Sequence, residues 1–89
     1  MNNLPALPET PTGLYRHYKG GEYEVIGVVR HSETLEPLVV YRPLYQGADW
    51  WVRPHAMFFE DIEFEGRVQQ RFVFVRQMPA SCTLPKFDV

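Results

Sequence analysis

The sequence predicts an all-β fold: a small SH3-like barrel of five to six strands with one short helical or 3-10 turn. Three observations carry that expectation. Valines, tyrosines, phenylalanines and both tryptophans crowd into the stretch between residues 13 and 76, a composition suited to pleated, half-buried surfaces. Turn residues recur at short intervals, at Lys19-Gly20-Gly21, Gln46-Gly47 and Glu65-Gly66. No amphipathic stretch is long enough for the helix that the nearest competitor, an OB-like barrel, normally includes.

The elements follow in order. "GLYRHY", from Gly13, reads as a first short strand closed by the Lys19-Gly20-Gly21 turn, and "EYEVIGVVRH" as a long second strand. Gly27 interrupts that strand and marks a bulge or bend, the device by which one strand serves two sides of a small barrel. "PLVVYRPLY" is the third strand, with Pro43 demanding a bulge or an edge position, and "ADWWVR" the fourth, ending at Pro54. "PHAMFFED" has helical composition with proline first, so a single helical turn is expected, with Met57 and Phe58 plugging one end of the core. "DIEFEGRVQQRFVFV" is a hairpin turning at Glu65-Gly66, in which Ile62 and Phe64, then Val68, Gln70, Phe72 and Phe74, share an alternating phase.

Prolines at positions 5, 8 and 11 make residues 1–12 an extended arm, residues 13–76 form the barrel domain, and residues 77–89 are an irregular tail. A domain of ~60 to 65 ordered residues buries only about 60% of the surface its unfolded chain exposes. Its core is too small to enclose an elaborate active site, which favours shallow recognition over catalysis. The net charge of −2 and pI near 5.9 argue against a general nucleic-acid binder. Acids concentrate in "EDIEFE", read as a solvated strand edge. Cys82 is the only cysteine, so neither an internal disulfide nor a four-cysteine zinc site is available, and a reducing cytoplasm fits best. The N-terminus has no basic n-region or apolar h-region, and no eighteen apolar residues run together, so neither secretion nor a membrane span is expected. The apolar "LPALP" arm leaves weak homo-oligomerisation open.

Candidate chemistry is sparse. In "HSETLEP" the pair His31 and Glu33 matches the His-x-Glu of zinc deaminases, but that chemistry needs a downstream P-C-x-x-C, and Cys82 stands alone. His17, His31 and His55 lack the helical i, i+4 spacing of a metalloprotease, so no metal and no cofactor is expected. Ser32 or Thr34 as a nucleophile on His31 is equally unsupported, because neighbours in extended chain point to opposite faces and no G-x-S-x-G elbow surrounds them. The bland reading is a hairpin loop, in which hydroxyls bond nearby backbone groups. Lys19-Gly20-Gly21 resembles part of a phosphate cradle but lacks the helix that would follow one.

The fourth strand is more informative. Alternation puts Ala48, Trp50 and Val52 on an apolar face and Asp49, Trp51 and Arg53 on a charged one, so Trp50 is expected in the core and Trp51 partly exposed. A large aromatic among charges is a common anchor for a ligand, because it offers area at little entropic cost. Tyr41 and Tyr45 on the third strand share one parity and are expected to join Trp51.

The segments "HYKG", "HSET", "VVYRPLY" and "WVRPHAMF" together resemble the bacterial family known as domain of unknown function 1653, over about Leu14 to Phe74. The resemblance implies a compact, mostly β domain with no established activity to carry over. Its motif positions fall on His17, Tyr18, Lys19 and Gly20, on His31, Glu33 and Thr34, on Tyr41 and Tyr45, and on Trp51, Arg53, Pro54 and Met57.

The expectation is therefore a non-enzymatic module that binds a small ligand or peptide. Its aromatic groove is formed by Tyr41, Tyr45 and Trp51 and edged by His17, Lys19, His31, Glu33 and Arg53. One alternative is a small hydrolase or transferase with His31 and Glu33 as its acid/base pair. Another is single-stranded nucleic-acid binding by stacking on the aromatics.

Overall fold

The computed structural model describes residues 4–45 and 48–78. Cys82, most of the tail and the Gln46-Gly47 turn lie outside the described residues. Seven strands and one helical turn follow in the order β1 (Gly13–His17), β2 (Glu22–Arg30), β3 (Pro37–Pro43), β4 (Trp51–Pro54), α1 (His55–Phe58), β5 (Asp61–Phe64), β6 (Arg67–Gln70) and β7 (Phe72–Arg76). They form a five-stranded sheet in the order β4-β3-β2-β1-β7 and a separate β5-β6 hairpin, with every pairing antiparallel. The fold is all-β, as expected. Among the described residues no ladder closes the large sheet into a barrel, and its two edge strands approach each other through side chains instead.

Local chemistry sets most of these boundaries. Glu65 and Gly66 both take positive φ, 52° and 76°, the pattern of a two-residue hairpin turn whose twist matches its strands. Gly13 is required by crowding, because a Cβ there would lie 2.5 Å from the Arg76 carbonyl oxygen where β1 meets the end of β7. The β2–β3 register slips between Val25 and Gly27, which is the bulge expected at Gly27. Its consequence is a change of phase: Val25 pairs with Tyr41 and Val28 with Val39, so an odd and an even residue of β2 both serve the core.

That core is aromatic. Tyr15, Val25, Val39, Tyr41, Phe58 and Phe72 are all buried in one cluster. Phe58 lies flat on Phe72 at 4.0 Å between centroids and meets Tyr15 and Tyr41 edge-on at 5.5 and 5.4 Å. Burial pushes the Tyr15 hydroxyl up to about 12, and it donates to the Pro11 carbonyl at 2.8 Å. On the outer face of the sheet, buried Glu24 lies opposite Arg42 and pairs with it at 2.9 Å. The arm is tied down by Arg30, which donates to the Pro5 carbonyl at 2.6 Å, and by a contact of 3.2 Å between Thr10 and the His55 ring.

Four expectations are corrected. The last predicted strand is two, because Arg71 leaves both ladders: its N–H donates to the Glu60 carbonyl at 3.0 Å and its carbonyl accepts from the Tyr18 N–H at 3.0 Å. Val68 is consequently exposed on the hairpin while Phe72 is buried in the large sheet. Met57 is exposed, because adjacent residues of a helical turn point about 100° apart and only Phe58 reaches the core. Trp50 is exposed and precedes β4, since residues 48–50 carry no ladder pairing and the alternation begins only at Trp51.

Phe58→Ala should therefore cost roughly 3–5 kcal/mol and Met57→Ala about 0.5 kcal/mol or less. Urea denaturation of the two variants checks this, and equal losses would contradict the assigned packing.

Candidate functional site

Directly opposed residues on neighbouring strands point to the same side of a sheet. Trp51 opposes Tyr41 and Arg53 opposes Val39, so both β4 side chains lie on the core side and not on a separate solvent face. They escape full burial because β4 is an edge strand with no further strand to cover them. Trp51 is 56% exposed, and its indole makes no ring contact among the described residues. Tyr41, only 8% exposed, forms part of the floor beside it.

Arg53 reaches back over the core, its guanidinium carbon 5.9 Å from the centroid of Phe72 on the opposite edge strand. Its Nε is buried with no acceptor, and no carboxylate or carbonyl among the described residues pairs with the group. A half-buried guanidinium without a partner is uncommon, because removing a charge from water normally requires compensation. Arg71, close by, has an equally unpartnered Nε but pairs with Glu60 through Nη2.

His17, at the end of β1, brings a titratable group against these cations. Its ring packs edge-on against Phe72 at 4.9 Å and leans on Tyr18 and Tyr23 at 4.4 and 6.1 Å. Nδ1 accepts the Lys19 N–H at 3.2 Å, which leaves Nε2 to carry the proton of the neutral ring. Burial lowers its pKa below the usual histidine value, and the positive charges of Arg71, Arg53 and Lys19 lower it further. The region is thus locally cationic in a chain of net charge −2.

His31 is arranged similarly but elsewhere. Its Nδ1 accepts the N–H groups of Glu33 and Thr34 at 3.0 and 3.2 Å, its own N–H donates to the Glu36 carbonyl at 2.8 Å, and Leu35 turns with φ 66°. The ring caps its own hairpin loop as an Asn or Asp side chain does. His17 and His31 sit beyond opposite ends of β2, a strand of nine residues and so about 30 Å long. No hydrogen bond, ion pair or ring contact joins His31 or exposed Glu33 to His17, Trp51 or Arg53 among the described residues.

Of the eight residues singled out in the sequence, His17, Lys19, Tyr41, Trp51 and Arg53 thus belong to one region around Phe72. Tyr45 lies past the end of β3 and is 67% exposed. Tyr23, Arg71 and Phe72 were not anticipated, and the alternation from Val68 to Phe74 runs through Arg71 without a break that could have signalled it. Among the described residues no three His, Cys, Asp or Glu side chains stand together as a metal site, and no helix is long and apolar enough to cross a membrane. An open groove of about 270 Å³ lies between β1, the turn after it and the residues of β6 and β7; it shares His17 with the region around Phe72, and its one arginine, Arg16, pairs with Glu22 at 3.3 Å.

Residues 13–74 match the model of a family described as a protein of unknown function, DUF1653. The chain belongs to the DUF1653 family. The crystal structure of a DUF1653 protein from Bordetella bronchiseptica is similar over 83% of this chain and 97% of that one, at 34% identity and a TM-score of 0.72. No curated protein matches significantly. The family match covers both cationic strand ends, at His17 and Arg53, and stops at Phe74 within β7.

The cationic surroundings of His17 make a specific prediction. In an NMR titration His17 should lose its proton below the usual histidine midpoint, and Arg53→Gln should raise that midpoint part of the way back, burial being the larger cause. Because the folded pKa is lowered, the unfolded chain takes up this proton first, so stability should fall as pH drops from about 6.5 through the folded midpoint. An unchanged midpoint in Arg53→Gln would place the guanidinium elsewhere.

Proposed function

We propose that this chain is a non-enzymatic binding module that takes an acidic small molecule or peptide at the rim formed by Trp51, Tyr41, Arg53 and His17. One observation carries the reading: Arg53 is held over Phe72 with a buried, unpartnered Nε in a region already rich in positive charge. Binding an anion there would pair the Arg53 charge through its terminal nitrogens, with the charge of Lys19 adding attraction. Exposed Trp51 supplies apolar contact area next to that charge. The polar edges at Lys19 and His17 belong to the same region, whereas His31 and Glu33 act in their own loop.

An acid/base role for His31 and Glu33 has less support, since His31 Nδ1 is occupied by two backbone N–H groups and Glu33 stands exposed. A general nucleic-acid surface has less support as well, the cationic region being a single spot on an acidic chain.

Screening fragment and short acidic peptide mixtures by NMR tests the proposal. Binders should shift the amides of β4, Phe72 and His17, and Trp51→Ala should weaken them at least tenfold while the remaining spectrum stays folded. Binders that map elsewhere, or that ignore both Trp51→Ala and Arg53→Gln, would refute it.

A further inference from the structure

The binding reading leaves the class of ligand open, and the geometry of β4 narrows it. Trp51 and Arg53 are two residues apart on one strand and on one side of it, so their Cα atoms lie about 7 Å apart. The first offers a flat apolar face that no ring covers among the described residues, and the second a guanidinium whose buried Nε has no acceptor and which no described acid pairs with. Tyr41 closes the floor beside Trp51, and Phe72 lies under Arg53.

We infer that the ligand carries one planar ring joined by a short link to one anionic group, with the ring on Trp51 and the anion on Arg53. This inference rests on the binding reading given above. A guanidinium presents parallel N–H groups that match two oxygens of a carboxylate or a phosphate, which an ammonium cannot do. With its Nε buried, Arg53 offers the anion its terminal nitrogens, and the positive charge of Arg71 and Lys19 adds attraction. Glu60 is the one acid in a salt bridge here, and it is already held by Arg71. The tryptophan face stacks on a planar ring and discriminates little among ring types. Aromatic carboxylates and mononucleotides share this chemistry.

Four probes test it by titration against the full chain, read by NMR shifts and calorimetry: indole-3-acetate, adenosine 5′-monophosphate, adenosine and inorganic phosphate. At least one of the two ring-anion probes should bind tenfold or more tighter than adenosine and than phosphate. Which of them does so distinguishes a carboxylate from a phosphate ligand. Arg53→Gln should reduce that probe to the affinity of the bare ring, and Trp51→Ala should reduce it to that of the bare anion. Arg53→Lys, which keeps the charge and removes the fork, should lose most of the preference and guards against a folding artefact in the glutamine variant. Adenosine or phosphate binding as tightly as the combined probe would overturn the inference, and so would no probe shifting β4. If the probes fail while acidic peptides still bind in a Trp51-dependent manner, this inference falls and the binding-module reading stands.

Discussion

The stack of Phe58 on Phe72, 4.0 Å apart and within 1° of parallel, joins the helical turn after β4 to the strand at the far edge of the sheet. In a domain this small the sheet cannot bury an apolar face by area alone, so one aromatic contact between its two edges has large consequences. Around this stack gather Tyr15, Tyr23 and Tyr41, all edge-on, and above Phe72 lies Arg53. The same ring thus packs into the core and lies under the Arg53 guanidinium, which no acid pairs with among the described residues. Core and candidate site share Phe72 and Tyr41, and changes that loosen the first should blur the second.

Much of the fold was legible because it is set locally. The Glu65-Gly66 turn, the bulge at Gly27 and the helical turn behind Pro54 each follow from the backbone freedom or restriction of the residues present. What failed was phase. Counting alternation from Ala48 put Trp50 inside, but where a strand begins is decided by its partner, and β3 pairs only from Trp51 onward. The same holds at Arg71, where backbone bonds to Glu60 and Tyr18 divert the chain from one sheet to the other with no turn residue to announce it.

The candidate site divides along the same line. Trp51, Tyr41, Arg53, His17 and Lys19 could be named from residue type and family resemblance. That His17 meets Arg53 across Phe72, while His31 stays in its own loop, depends on how the sheet curls and on no spacing in the sequence. The role shared by the two histidines was locally encoded yet unread: each Nδ1 accepts a backbone N–H two residues on, at Lys19 and at Glu33. Residue types that look chemical in "HSETLEP" therefore build a turn, and the uncompensated charge sits on β4.

The core holds the Arg53 guanidinium partly out of water, with no acid to pair it among the described residues. Solvent exchange of the arginine Nε–H protons, followed by NMR in anion-free buffer and again with a bound anion, tests that claim most directly. Arg53 should exchange far more slowly than the exposed Arg16, and its Nε–H resonance should move when the anion binds. An Arg53 resonance that exchanges as fast as that of Arg16 and ignores every anion would contradict it.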